Sequence, residues 1–175
     1  VHMFINDYMY GGSIQNMISN QISYAIPLWM NEGLAEFIAD SWGTNSDMWV
    51  RDLVLNGENL PDLNQLNGYL AYRGGQSVWK FITSKWGIES ISEILYQIKK
   101  KKSVNGGVRA ALGIKLTELN EQWHEYIKKF YYPEIILRSM PNEFSRQLTD
   151  HKKLENSYNI APSLSPDGSK IAMYS

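Results

Sequence analysis

The chain has 175 residues, of which 43% are hydrophobic and 13% aromatic, and this composition is sufficient for one hydrophobic core. A formal net charge of −1 excludes a general electrostatic surface for nucleic acid. The absence of cysteine excludes a disulfide framework, a thiolate metal site and a cysteine nucleophile. No apolar run approaches the roughly 18 residues of a membrane span, so none is predicted.

Hydrophobic periodicity and turn residues predict a mainly α fold up to residue 132. Residues 1–7 indicate the end of one helix. Ser13 suits the N-cap of a second helix over 14–23. Pro27 suits the first turn of a third helix, which we expect to end near Ser41.

Five further helices are predicted after Ser41. They cover part of 42–61, then 68–86, 91–100, 108–112 and 117–132. We expect Gly113 to close the fourth of them and Pro133 to stop the fifth. The lysine run at 99–102 follows an apolar helical stretch, where cations suit the negative end of the helix dipole. We therefore interpret this run as a solvated helix end rather than a binding patch.

The character of the sequence changes after Pro133. Residues 133–158 are polar and without a sustained period, which predicts a linker. Residues 159–175 contain Ser-Pro-Asp-Gly between two short apolar runs, which predicts a turn in a short β segment. This segment resembles the repeats of TolB-like (WD40-like) β-propellers. The resemblance implies the start of a first blade, further blades after it, and a protein partner bound through the propeller. It also implies an exported bacterial protein of the periplasm or cell envelope.

Two segments near the start of the chain suggest a metal centre. Residues 29–35 run Trp-Met-Asn-Glu-Gly-Leu-Ala, and the chain opens Val-His. A helical His-Glu-x-x-His places two imidazoles one turn apart, and a catalytic zinc takes a third ligand from elsewhere in the fold. Together the segments resemble the glutamate-ligand (gluzincin, peptidase MA-like) zinc metallopeptidases. The resemblance makes His2 the second histidine and Glu32 the third ligand. It places the first histidine and the catalytic glutamate just before Val1, so we expect a fragment truncated at both ends.

Two other residues gain roles from the same resemblance. Glu36 lies one helical turn after Glu32 and would hold the first histidine by a hydrogen bond. Two such carboxylates without a nearby cation repel each other, so a bound metal would explain the pair. In residues 69–82, Tyr72 would donate to the oxyanion formed when water attacks a peptide carbonyl. The alternatives are that Tyr72 only packs against the ligand helix, and that Arg73 pairs with a substrate carboxylate.

The other two histidines are interpreted as unrelated to the metal. His124 begins a stretch His-Glu-Tyr-Ile-Lys, in which Lys128 stands where the zinc motif needs its second histidine. His151 lies in the polar linker and has no partner nearby in sequence.

The resemblance implies a fold, a cofactor and an activity. The fold is the helical C-terminal part of a peptidase domain over 1–132, a linker over 133–158 and the start of a propeller over 159–175. The activity is hydrolysis of a peptide or protein substrate by water activated on Zn²⁺. Two ligands without the base should bind zinc weakly, so we expect the fragment alone to be inactive. The alternative is a non-catalytic peptidase-like scaffold or binding module attached to a propeller.

Overall fold

The computed structural model describes residues 1–11, 15, 25–56, 60–139, 141–150 and 159–174. The helices in this part of the chain are α1 (His2–Tyr10), α2 (Leu28–Asp40), α3 (Thr44–Asn56), α4 (Tyr69–Trp86), α5 (Ser90–Lys101), α6 (Val104–Leu112), α7 (Leu116–Leu137) and α8 (Pro141–Phe144), with a short 3-10 helix at Leu63–Gln65. Strands β1 (Ile160–Leu164) and β2 (Ile171–Tyr174) pair antiparallel. The predicted mainly α fold with a short β segment is therefore confirmed. The helix predicted over 14–23, its Ser13 cap and His151 lie outside the described residues.

The chain divides into two compact units, Val1–Ile135 and Ile136–Ser175. In the described part of the chain, no helix combines the length and the apolar character that crossing a membrane requires.

The core of the first unit forms around the contact between α2 and α4. A Cβ atom added to Gly33 would collide with the backbone of Gly75, and one added to Gly75 would collide with the carbonyl of Trp29. The two helix backbones are therefore in direct contact. The indole of Trp79 donates a hydrogen bond to the Met30 carbonyl at 2.9 Å. Large side chains that are almost fully buried surround this contact: Trp29, Leu34, Trp79, Ile82, Leu119 and Trp123.

Helix α6 begins earlier than the sequence predicted. It starts at Val104 rather than Val108, because the Ser103 hydroxyl caps it by accepting from the Gly106 amide at 3.1 Å. Gly107 packs against the backbone of Ile98 on α5, and no larger residue fits there. The lysine run does form the end of α5, as predicted.

Helix α7 does not stop at Pro133, and that prediction was wrong. It runs from Leu116 to Leu137 with the proline inside it. Tyr131 is buried just before the proline and donates a hydrogen bond to Asp47 on α3 at 2.9 Å, which holds this part of α7 in place. Proline leaves the Lys129 carbonyl without its helical donor, and Lys129 is exposed, so water can take that donor's place.

The turn predicted in the second unit is confirmed. The Gly168 amide donates to the Ser165 carbonyl at 2.9 Å, and Gly168 has a φ of 69°. Inside the turn, the Asp167 carboxylate accepts from the Ser165 hydroxyl at 2.6 Å and from the Ser169 amide at 3.1 Å. These hydrogen bonds, the one from Ser165 first, lower the pKa of Asp167 to about 2.

Candidate functional site

His2 and Glu32 meet where α1 faces the second turn of α2. His2 Nε2 lies 3.2 Å from Glu32 Oε2, with the His2 side chain 44% exposed and that of Glu32 16% exposed. The structure thus brings together the two residues that the sequence named as ligands. Their contact depends on the packing of two helices rather than on neighbouring positions in the chain.

The other nitrogen of the His2 ring is held by Asn31. His2 Nδ1 lies 3.3 Å from Asn31 Oδ1, and an amide oxygen can only accept a hydrogen bond. With the proton on Nε2, His2 donates to Glu32 and the Asn31 amide nitrogen faces Nδ1; with the proton on Nδ1, His2 donates to the Asn31 oxygen and the Nε2 lone pair faces the Glu32 carboxylate. Two lone pairs at this distance repel unless a proton or a metal ion lies between them. In the sequence, Asn31 was noted only as part of the motif around Glu32. Its position next to Glu32, on a helix that faces α1, indicates that it can also contact His2.

The separation of the two donor atoms fits a zinc ion. In a tetrahedral site with bonds of about 2.0–2.1 Å, neighbouring donors lie roughly 3.3 Å apart, close to the distance between His2 Nε2 and Glu32 Oε2. No cluster of three or more His, Cys, Asp or Glu side chains able to hold a metal occurs among the described residues. His2 and Glu32 could supply two donors to such an ion, and any third donor would have to come from outside the described residues.

Tyr72 lies on α4 next to this pair. The negative charge of Glu32 is the largest of the effects that raise the pKa of Tyr72, followed by burial and by hydrogen bonding between the two side chains. Its hydroxyl is therefore protonated at neutral pH and able to donate. With 36% of Tyr72 exposed, a molecule in solvent can reach the ring.

Glu36 forms an ion pair with Arg73, so the two carboxylates of α2 do not need a metal ion to explain their proximity. Arg73 Nη1 donates to Glu36 Oε2 at 2.6 Å. The expectation that the two carboxylates lack a nearby cation was wrong, because a cation from α4 neutralises Glu36. Arg73 is already paired with Glu36, and its pairing with a substrate carboxylate stays a prediction. The hydrogen bond from Glu36 to the first histidine stays a prediction.

Arg73 belongs to a polar network that the sequence reasoning missed. Its guanidinium donates to Gln76 Oε1 at 3.2 Å and to the Ser46 hydroxyl at 3.4 Å. Ser46 and Gln76 are fully buried, and Gln76 Nε2 also donates to the Ser41 carbonyl at 2.9 Å. The network therefore ties the end of α2 and the start of α3 to α4. The signal in the sequence was Gln76 itself. It lies between Gly75 and Ser77 in the middle of a helix whose large buried side chains are otherwise apolar.

A cavity of about 380 Å³ adjoins the site on the α1 side. Its lining consists of Asn6, Tyr10, Ala25, Ile26 and Asn31. Asn6 lies one helical turn after His2, so the cavity reaches the same face of α1.

His124 is separate from this site. Its Nε2 lies 3.0 Å from the Pro61 carbonyl, and its ring lies beside that of Trp123 with the two planes inclined at 46°. It joins no cluster of metal-binding side chains among the described residues.

No protein family, no curated protein and no solved structure matches this chain.

Proposed function

We propose that the helical unit belongs to a zinc-dependent peptidase, in which His2 and Glu32 are two of the metal ligands. The observation that carries the proposal is the approach of His2 Nε2 to Glu32 Oε2 at 3.2 Å, with Asn31 fixing the opposite nitrogen of the ring. The sequence motif and the donor geometry favour the same two residues independently.

Zinc at this position would polarise a peptide carbonyl and lower the pKa of a water molecule to about 7. Asn31 holds the His2 ring so that Nε2 faces the metal position, and Glu32 supplies an oxygen. Tyr72 is protonated beside Glu32 and donates to the carbonyl oxygen of the substrate as negative charge develops on it. The first histidine and the general base of such a site would be supplied by residues other than His2, Glu32 and Tyr72.

The proposal extends to the second unit. The Ser-Pro-Asp-Gly hairpin supports the start of a TolB-like blade, since its exposed strands need neighbouring strands to cover them. An exported bacterial enzyme that acts on peptides or proteins and binds a protein partner through its propeller is consistent with this arrangement.

A non-catalytic scaffold is the second candidate function. The Glu36–Arg73 pair favours it, because that carboxylate is satisfied without a metal-bound histidine. A protonated His2 would likewise pair with Glu32 directly.

The test measures zinc by elemental analysis in the full-length protein. We expect about one zinc per chain, lost in Glu32→Gln and retained in Glu93→Gln, a matched change on an exposed face of α5. Hydrolysis of a casein substrate should stop with a chelator and resume with added zinc. Zinc binding without hydrolysis would favour the scaffold, and absence of zinc from every preparation would overturn the metal site.

A further inference from the structure

Two aromatic rings stand exposed beside the candidate site. Trp49 on α3 and Tyr69 at the start of α4 have ring centroids 4.7 Å apart and planes inclined at 57°. Trp49 is 42% exposed and Tyr69 is 48% exposed. We call this pair the aromatic ledge. Its rings contact each other but keep much of their apolar surface in water, which makes that surface available to a ligand.

Arg73 fixes the orientation of the Tyr69 ring in the aromatic ledge. Arg73 Nε donates to the Tyr69 hydroxyl at 3.3 Å, and the guanidinium carbon lies 5.8 Å from the centroid of the Tyr69 ring. Arg73 is held in turn by Glu36. A half-exposed aromatic ring with its orientation already set loses little conformational entropy when it binds a partner.

The ledge is adjacent to the reacting groups of the proposed peptidase. Tyr69 precedes Tyr72 by three positions on α4, so the two side chains are neighbours on one helix face. Tyr72 in turn faces Glu32, whose charge has the largest effect on its pKa. A peptide whose carbonyl reaches Tyr72 lies within one helical turn of Tyr69, close enough for a neighbouring side chain to reach the aromatic ledge.

We propose that the aromatic ledge binds a large apolar side chain of the peptide substrate, next to the bond that is cut. This inference rests on the proposed peptidase function and adds its specificity. Rings of this kind favour phenylalanine, tyrosine or leucine over alanine through apolar burial and ring contacts.

The first experiment follows the indole N–H signal of Trp49 by NMR in the full chain, assigned through Trp49→Phe. N-acetyl-phenylalanine amide is the probe and N-acetyl-alanine amide is its control. We expect the phenylalanine probe to shift this signal in a saturable way and the alanine probe to leave it unchanged. The shift should disappear in Tyr69→Leu and persist in Tyr96→Leu, since Tyr96 on α5 is equally exposed at 47%. No shift with the phenylalanine probe, or an equal shift with both probes, would overturn the proposal.

The second experiment uses the full-length protein loaded with zinc. The ratio of kcat/KM for a phenylalanine-containing peptide over its alanine counterpart should be about 10-fold or more, and Trp49→Leu should bring it close to one with zinc content unchanged. An unchanged ratio in a folded, zinc-bound variant would contradict the role of the ledge in specificity but not the peptidase function. Absence of zinc and of hydrolysis would contradict the peptidase function, and the NMR experiment would still decide whether the ledge binds apolar side chains.

Discussion

At the scale of single residues, the candidate site depends on which nitrogen of His2 carries the proton. In the tautomer in which Asn31 accepts from Nδ1, the Nε2 lone pair is directed at Glu32. Such partners of a ligating histidine fix the ring and increase its basicity toward a metal. Asn31 is therefore the residue on α2 that sets the orientation of the His2 ring on α1.

Replacing Asn31 with alanine should weaken zinc binding by about 10- to 100-fold, because the His2 ring is no longer held. Competition with a chromogenic chelator measures the affinity. The ¹⁵N shifts of the His2 ring measure the tautomer independently of zinc and should show a mixture in the variant. Asn64→Ala, on the exposed 3-10 helix, is the matched control. An unchanged tautomer in Asn31→Ala would contradict the assigned hydrogen bond.

Arg73 should matter more for stability than a typical surface arginine. Its side chain is 16% exposed, and its removal leaves Glu36, Ser46 and Gln76 without a shared donor. We expect Arg73→Met to lower the free energy of unfolding by about 1–3 kcal/mol. Arg51→Met should cost less than about 1 kcal/mol, because its ion pairs are longer, at 3.6 and 3.8 Å, and its side chain is 32% exposed. Urea denaturation measures both; equal costs would contradict the role given to the network.

At the scale of helices, the site is positioned by the backbone contact between α2 and α4. Glu32 immediately precedes Gly33, and Tyr72 lies three residues before Gly75. The distance between the carboxylate and the phenol is therefore set where the two glycines meet. A side chain at either glycine would push the helices apart and separate these two functional groups.

Gly75→Ala should destabilise the helical unit by at least about 2 kcal/mol, because its Cβ would overlap the Trp29 carbonyl and neither helix backbone can yield locally. Gly106→Ala is the control. A Cβ atom added there would lie 3.3 Å from the Ser103 side chain, which needs to shift only by a few tenths of an ångström, and alanine favours the helix. We expect the control to stay within about 1 kcal/mol of the parent by thermal or urea unfolding. A tolerated alanine at Gly75 would show that the helices are not in backbone contact.

At the scale of the whole molecule, the two units should respond separately to acid. The folded pKa of Asp167 is depressed to about 2, so its contribution to the hairpin turn is fully present above about pH 4. That contribution is lost as the pH falls through about 2. NMR signals of residues 160–174 should report the loss with this midpoint, and Asp167→Asn should remove that pH dependence. Hairpin signals that stay constant from pH 4 to below 2 would contradict the hydrogen bonds of Asp167.

The sequence predicted those features that local rules or a specific motif determine. Periodicity located most of the described helices, and the motif paired His2 with Glu32 before any contact was known. The errors arose where distant contacts override local rules. Pro133 lies inside α7, where Tyr131 is hydrogen-bonded to Asp47 on α3, and Gly107 lies inside α6, where Ile98 leaves no room for a side chain. The Glu36–Arg73 pair likewise joins two helices that no local pattern relates.

The contact of Gly33 with Gly75 has a further consequence for hydrogen exchange. Backbone amides in the middle of α2 and α4 are shielded by a neighbouring helix, so solvent deuterium reaches them only when the helices separate. Amides of the exposed hairpin strands need no such opening. The middle turns of α2 and α4 should therefore be among the slowest to exchange, and the spacing that they give to Glu32 and Tyr72 should persist through fluctuations that open the periphery of the first unit.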